Sequence, residues 1–225
     1  MKILAIDTSS IACSLGLLLF EKKIIKHVIS PMQQARLILP MLKELLQSEN
    51  VSLNQLDAIS FGCGPGSFTG IRIATSVAQG LAFASEKPLI PISSLAIAAQ
   101  TAYEKQGFKK MIVAYDARIH EVYWASYEVK TNGLVSLVGK EALDHPEAIT
   151  VPDKTLWYGV GNAWNIYPDK ILYTPAAIDS HCLPSASAML TLAKAKFLSQ
   201  EWVSPLKAMP VYLRDNVAQK KSGGC

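Results

Sequence analysis

The sequence contains few charged residues and no long hydrophobic run. Charged side chains make up 18% of its 225 residues, and the longest apolar runs, such as 15–20, are far shorter than the roughly 20 residues that cross a bilayer. An acid already stands at Asp7, where a signal peptide would still need apolar residues. The net charge of +4 permits contact with RNA without indicating it, since no dense stripe of Lys and Arg appears before Lys220-Lys221. We expect an ordered globular protein of the cytoplasm with no membrane segment.

Cysteines and histidines are also scarce, and neither type is spaced like metal ligands. The four cysteines form no CxxC pair, which indicates packing residues in a reducing compartment. The histidines form no H-x-x-x-H pair and no H-E-x-x-H motif, so the sequence predicts no metal site and argues against a metalloprotease. These residues are Cys13, Cys63, Cys182 and Cys225, and His27, His120, His145 and His181.

The most informative segment is a loop rich in glycine. It lies between a predicted strand, 57–63, and a helix predicted to begin near Thr69, and Ser67 or Thr69 can cap that helix. Such a turn either packs closely against another part of the chain or holds an anion at the helix N-terminus. It is not a nucleotide P-loop, because Ile71 and Arg72 stand where that motif requires Lys and Ser/Thr. The loop reads Gly64-Pro65-Gly66-Ser67-Phe68-Thr69-Gly70.

The turn after the first predicted strand is the best candidate for a nucleotide contact. Its residues are Asp7, Thr8 and Ser9. A carboxylate here can order a magnesium-bound water, while hydroxyl and backbone N–H groups of the turn hold phosphate. Phosphate-binding turns usually contain glycine, which this one lacks. A hairpin turn stabilised by the carboxylate or the hydroxyls is therefore an equally good interpretation.

Strands and helices alternate along the first half, and the pattern starts again near residue 110. The run 111–116 repeats the form of 3–7, an apolar strand that ends in an acid, and each is followed by a turn and a second strand. A strand–turn–strand unit that opens each half is typical of the two-lobe actin-like ATPase (ASKHA) fold, a duplicated RNase H-like α/β architecture, here in degenerate form. We expect an N-terminal lobe at 1–108 and a C-terminal lobe at 109–225, and we leave open whether the last segment returns to the first lobe. Glycines and prolines from Gly159 onward predict short strands in the second lobe, followed by a helix at 185–199.

Two helices of the first half, predicted at 33–47 and 69–85, carry more apolar residues than one buried stripe requires. Either both helices are enclosed inside the protein, or part of their surface docks onto another helix, and we favour docking. On that interpretation, Leu42→Asp or Ala78→Asp would disrupt partner binding and leave the chain folded. The candidate interface residues are Leu37, Ile38, Met41, Leu42 and Leu45 on the first helix, and Ile71, Ala74, Val77, Ala78 and Leu81 on the second.

The amino-acid sequence of several of these segments resembles that of the TsaB family. The glycine loop continued through Ile71-Arg72-Ile73-Ala74 is the most specific match. The opening 3–9, the segment Asp116-Ala117-Arg118 with Glu121-Val122-Tyr123, and the closing Pro210-Val211-Tyr212-Leu213-Arg214 also match. The resemblance covers nearly the whole chain.

This resemblance implies a non-catalytic subunit that supports another protein. TsaB is similar in fold to the catalytic subunit TsaD, in which a histidine pair on the early helix helps to bind a metal; the corresponding helix here has no histidine. The implied role is to pair with TsaD through helices of the first lobe, with the ATPase TsaE joining the pair. The complex transfers threonylcarbamoyl to the adenosine beside the anticodon of tRNAs that read codons beginning with A.

Three further expectations follow from the resemblance. The chain contacts tRNA through the complex, and it pairs with a second copy of itself when TsaD is absent. It needs no cofactor on its own, and whether ATP or ADP binds at the junction of the two subunits is left open. The competing hypothesis is a small kinase or ATPase of the actin-like fold, which predicts ATP hydrolysis that depends on Asp7.

Overall fold

The structure, a computed structural model, describes residues 1–214. Lys220, Lys221 and Cys225 lie outside the described residues. Within the described part, no helix is long and apolar enough to cross a membrane. Two five-stranded sheets, each covered by helices, form two lobes.

The first sheet is built from the first 93 residues. Its order is β3-β2-β1-β4-β5, in which β1, β2 and β3 are antiparallel neighbours while β1, β4 and β5 run parallel. The central strands β1 and β4 are buried almost throughout, as expected for parallel strands with helices on both faces. The strands are β1 (Lys2–Asp7), β2 (Ala12–Leu19), β3 (Lys22–Ile29), β4 (Ala58–Gly64) and β5 (Leu89–Ser93).

The second sheet repeats the topology of the first. Its order is β8-β7-β6-β9-β10, so a hairpin pair again lies beside the opening strand on one side and two parallel strands lie on the other. Asp7 and Asp116 each end the opening strand of a lobe, as their alignment predicted. The strands are β6 (Lys110–Asp116), β7 (Val122–Val129), β8 (Val135–Asp144), β9 (Tyr158–Val160) and β10 (Ile178–Asp179).

The prediction of short strands in the second lobe is correct for β9 and β10 but wrong for β8. Strand β8 has 10 residues, and it lies at the sheet edge, where all of its residues are partly or fully exposed. An edge strand needs no continuous apolar run, so charged residues such as Lys140 and Glu141 obscured it in the sequence.

Helices from both halves of the chain cover the first sheet. Helices α1 (Gln34–Ser48) and α2 (Phe68–Ser85) pack on one face, through a core that includes Leu4, Ile6 and Phe61. Helix α3 (Ser94–Gln106) lies between the sheets, and α4 (Ala163–Ile166) is a single turn in the second lobe. Helix α5 (Ala186–Leu198), predicted at 185–199, packs on the other face of the first sheet against β1 and β2.

The residues after α5 continue along the first lobe. The backbone of Val203 exchanges two hydrogen bonds with that of Leu89, of 2.8 and 2.9 Å, which covers the free edge of β5. Farther on, the amide of Val211 donates to the carbonyl oxygen of Cys63 at 2.7 Å. The chain therefore ends its described course beside the glycine loop.

Candidate functional site

The glycine loop packs tightly on the turn that follows β1. A Cβ atom added to Gly70 would collide with the carbonyl oxygen of Thr8, and one added to Gly66 would lie 2.5 Å from that of Ser9. The amide of Ser67 donates to the Ser9 carbonyl at 2.8 Å, and the hydroxyl of Thr8 donates to the Gly70 carbonyl at 2.6 Å. The sequence allowed two interpretations of the loop, close packing and anion binding. This geometry is that of close packing, because only glycine permits the backbones to approach so closely.

The same geometry explains where α2 begins. The Ser67 hydroxyl accepts a hydrogen bond from the amide of Gly70 at 3.3 Å, so Ser67 and not Thr69 is the cap. One backbone N–H group at the helix start is thereby bonded inside the chain. The loop between Gly64 and Gly70 therefore covers Thr8 and Ser9.

Asp7, Thr8 and Ser9 come together under this closure and are buried. The Asp7 carboxylate accepts hydrogen bonds from the backbone amide of Ser9 at 3.2 Å and from its hydroxyl at 3.0 Å. Burial raises the pKa of Asp7 to about 7, and the bonds from Ser9 partly oppose that rise. The turn is thus the hairpin stabilised by its own side chains, and its polar groups are not accessible to a phosphate in this structure.

Most of the predicted interface residues do not lie on the surface. Ile38, Met41, Leu42, Leu45, Ile71, Ala74 and Ala78 are buried in the core between the helices and the first sheet, whereas Leu37, Val77 and Leu81 are half-buried. The prediction that Leu42→Asp or Ala78→Asp leaves the chain folded is therefore wrong. Leu42 is 4% exposed and Ala78 is fully buried, so an aspartate there would place an unpaired charge in the core.

The same two helices nevertheless form an open apolar groove. It has a volume of about 470 Å³ and lies between the first turns of α1 and the first half of α2. Leu39 and Phe68 are 55% and 45% exposed although both are large apolar side chains. The residues that line the groove are Ala35, Ile38, Leu39, Phe68, Thr69, Arg72, Ile73, Ser76 and Val77.

Of the nine lining residues, sequence reasoning selected only Ile38 and Val77 for the interface and named Phe68 and Thr69 only as part of the glycine loop. It missed Ala35, Leu39, Arg72, Ile73 and Ser76. The α2 members recur at intervals of three and four residues, which places them on one helix face. That spacing was visible in the sequence, but it did not reveal which of the two apolar faces the sheet would cover.

A strap formed by residues 208–214 crosses the glycine loop and connects it to the second lobe. Tyr212 lies beside Phe68 with a ring-centroid separation of 5.8 Å. Two residues later, the Arg214 guanidinium donates to the carbonyl oxygen of Ala117 at 3.0 Å and pairs with the carboxylate of Glu121. The closing motif singled out in the sequence therefore contacts both the glycine loop and the Asp116-Ala117-Arg118 turn.

The Asp116-Ala117-Arg118 turn has a strained backbone. Arg118, Ile119 and His120 all have positive φ angles, of 67°, 54° and 57°, a region that is costly for a β-branched residue such as Ile119. Asp116 accepts hydrogen bonds from the amide of Arg118 and from the hydroxyl of Tyr167. Together with Arg214, these contacts hold the turn in place.

Metal and nucleophile candidates do not assemble elsewhere in the described residues. Among residues 1–214, no three His, Cys, Asp or Glu side chains group as ligands for one ion. Cys13, Cys63 and Cys182 are buried free thiols, and burial raises the pKa of each, which disfavours the reactive thiolate. This part of the chain offers no donor set of the kind that a metalloprotease uses.

Comparison with known proteins gives full-length matches. A family model described as TsaD, tRNA N6-adenosine threonylcarbamoyltransferase, matches residues 29–222. The tRNA threonylcarbamoyladenosine biosynthesis protein TsaB of Escherichia coli K12 is 38% identical over 229 residues, covering 100% of this chain and 99% of its own. The protein of the same name from Haemophilus influenzae is 35% identical over 232 residues and covers 100% and 98%.

Two solved structures from Pseudomonas aeruginosa share the complete fold. YeaZ superposes with a TM-score of 0.91 at 43% identity, covering 94% of this chain and 99% of the other. A second structure, described as similar to the peptidase YeaZ, also has a TM-score of 0.91, at 42% identity, with 95% and 99% covered. With the two repeated sheets, these matches confirm the predicted two-lobe actin-like fold.

Proposed function

The chain belongs to the TsaB family and takes part in tRNA threonylcarbamoyladenosine biosynthesis, and we propose that it acts there as a non-catalytic subunit that binds and supports TsaD. In this role TsaD performs the threonylcarbamoyl transfer, TsaE joins the pair, and tRNA is contacted through the complex. The adenosine modified is the one beside the anticodon in tRNAs that read codons beginning with A.

The groove between α1 and α2 is the observation that carries this proposal. It exposes large apolar side chains, notably Leu39 and Phe68, on helices whose opposite faces already fill the core. Exposed apolar surface of this kind is unfavourable in an isolated chain and favourable under a partner helix. The docking surface we propose is therefore the groove itself, which keeps only Ile38 and Val77 of the residues first selected.

Helix α2 also contains a glycine for which the fold gives no reason. Gly80 is exposed in the middle of the helix, and a Cβ atom added there would meet nothing within 4 Å. Glycine at such a position costs about 1 kcal/mol relative to alanine. Ser76 and Ala84, one turn before and after it, are also small and exposed. Together they would let the backbone of a partner helix come close.

The closed turn at Asp7–Ser9 supports the absence of independent catalysis. Its carboxylate and hydroxyl groups bond within the chain, and Gly66 and Gly70 leave no space above it for phosphate. We propose that ATP or ADP, when the complex contains it, binds where the two subunits meet. When TsaD is absent, the exposed groove is the surface through which a second copy would associate.

The proposal is tested with this chain and TsaD from the same organism. Size-exclusion chromatography with light scattering should show a stable mixed complex, and tRNA should be modified only when both proteins are present with TsaE and threonylcarbamoyl-adenylate. Leu39→Lys should weaken the complex at least about tenfold, because it places a charge in an apolar contact. The matched control is Leu172→Lys, since Leu172 is exposed but lies outside the groove.

Two results would contradict the proposal. One is a chain that does not bind TsaD under these conditions. The other is ATP hydrolysis by the chain alone that Asp7→Asn abolishes, which would restore the small kinase or ATPase hypothesis. Equal weakening by Leu39→Lys and Leu172→Lys would instead show that the contact is not at the groove.

A further inference from the structure

Arg72 differs from every other residue that lines the groove. Within the part of the chain that the structure describes, it is the only charged residue among the nine that form the groove wall. The others are apolar or small and hydroxyl-bearing. Arg72 is exposed in the uncovered groove, but under a docked partner this cation must find a counter-charge or remain hydrated, because an unpaired buried charge is costly.

The Arg72 side chain is held in position from two sides. Its guanidinium carbon lies 3.7 Å from the centroid of the Phe68 ring. Its Nε donates a hydrogen bond to the hydroxyl of Tyr212 at 2.8 Å. Stacking occupies the flat face of a guanidinium and the Nε bond uses one edge, so the two terminal nitrogens remain directed away from these contacts. A pre-positioned guanidinium of this kind suits a carboxylate.

The part of the chain that the structure describes supplies no such carboxylate. Among residues 1–214, no Asp or Glu lies within ion-pair distance of Arg72, although nine other ion pairs are formed. Helix α2 contains no acid, and the single acid of α1, Glu44, already pairs with Lys26. Neither helix has an acid in its first turn, so the positive ends of their dipoles add to the potential at this end of the groove.

We propose that the segment of the partner subunit that fills the groove carries an Asp or Glu side chain that pairs with Arg72. The inference rests on the proposed function and adds the chemistry of recognition to it. An apolar helix with one carboxylate facing Arg72 fits the groove, whereas a purely apolar helix would give the guanidinium no counter-charge beyond what residues 1–214 supply, which is none.

The same cation disfavours a second copy of this chain as the occupant. In a twofold dimer the same patch faces itself, so the cations of one groove approach those of the other. The exposed side of α1 adds Arg36 and Lys43 to Arg72, while the only acid available on either helix is already paired. Charge therefore selects a different, acid-bearing partner over self-association, as like charges do at other specific interfaces.

Arg72→Gln tests this selection because it should change the two associations in opposite directions. We expect the dissociation constant of the complex with TsaD to rise at least about tenfold, since removing one member of a desolvated charge pair is costly. We expect self-association of the same variant to become tighter than that of wild type. Isothermal titration calorimetry measures the first quantity and sedimentation equilibrium measures the second.

Two further variants separate charge from structure. Tyr212→Phe removes only the hydroxyl that orients Arg72, so it should weaken the complex less than Arg72→Gln does. Lys140→Gln removes an exposed cation of the second lobe that does not line the groove, and it should leave both associations unchanged. Thermal unfolding by circular dichroism verifies that each variant is folded.

If Arg72→Gln does not fold, the salt dependence of association by the wild-type chain tests the proposed ion pair. Raising the salt from about 50 to about 500 mM should weaken the complex with TsaD and strengthen self-association, because salt screens attraction and repulsion alike. Unchanged affinity of a folded Arg72→Gln for TsaD, or a complex insensitive to salt, would overturn the inference and leave the proposed function intact. Failure of wild type to bind TsaD would instead overturn the proposed function.

Discussion

Asp7 makes the stability of this protein depend on pH in a direction opposite to that of most carboxylates. The group is fully buried and its pKa rises from the ordinary 3.8 to about 7, chiefly because burial penalises the charged form. In the unfolded chain Asp7 loses its proton above about pH 4, whereas the folded chain retains it until about pH 7. Between these values the folded state binds more protons, so the free energy of unfolding falls as the pH rises.

The magnitude follows from the two pKa values. Each pKa unit corresponds to 1.36 kcal/mol, so the rise from 3.8 to about 7 corresponds to a loss of about 4 kcal/mol across that pH range. Asp7→Asn removes the titrating group and keeps an oxygen that can accept the hydrogen bonds from Ser9. Its new amide hydrogens lack acceptors in the buried turn, which costs about 1–3 kcal/mol at every pH. The pH dependence, and not the absolute stability, is therefore the quantity that this variant tests.

Urea unfolding followed by circular dichroism at several values between pH 4.5 and 8 gives the required difference. We expect the stability of Asp7→Asn relative to wild type to increase by about 1.4 kcal/mol per pH unit up to about pH 7 and then to level off. Asp169→Asn, which removes one aspartate from the surface, is the matched control for the change in net charge. A difference between Asp7→Asn and wild type that stays constant across the range would refute the assignment of Asp7 as a buried group that holds its proton.

The other predictions concern the glycines and the nucleotide. Gly70→Ala should lower the free energy of unfolding by about 1–3 kcal/mol, because its Cβ meets the Thr8 carbonyl. Gly80→Ala should instead raise that of the isolated chain by up to about 1 kcal/mol and weaken the complex with TsaD. Thermal unfolding measures the stabilities and calorimetric titration measures the affinity for TsaD; unfolding of Gly80→Ala would show an unrecognised internal contact. The chain alone should bind neither ATP nor ADP in a calorimetric titration, because the turn at Asp7–Ser9 is closed, and binding that is lost on Asp7→Asn would contradict the proposed absence of a nucleotide site.

The sequence was sufficient for the parts of the fold that have local signals. Strands β1 and β6 were recognisable because each is a short apolar run that ends in an acid, and their recurrence indicated the duplicated architecture. Ser67 and the surrounding glycines located the start of α2 to within one residue. These features depend on neighbours in sequence, so a single chain reveals them.

The site required contacts that the sequence does not encode locally. Gly70 is needed because Thr8 lies above it, 62 positions earlier in the chain, and no local pattern could choose between that contact and an anion. On α1, Leu39 and Leu42 are equally apolar, yet Leu39 faces solvent and Leu42 lies in the core between the helix and the first sheet. The apolar excess is visible in the sequence, but only the position of the sheet shows which of these residues face solvent.

The return of α5 to the first lobe has a consequence during synthesis of the chain. All strands of the first sheet are complete once Ser93 has been made, yet the face formed by Ile3, Ala5 and Leu18 is covered by α5, which ends at Leu198. At about 5–20 residues per second, that face stays open for roughly 5–20 s on the ribosome. A nascent or truncated chain that stops before α5 presents a sheet with one bare apolar side, and any complementary surface nearby can cover it before the protein's own helix arrives.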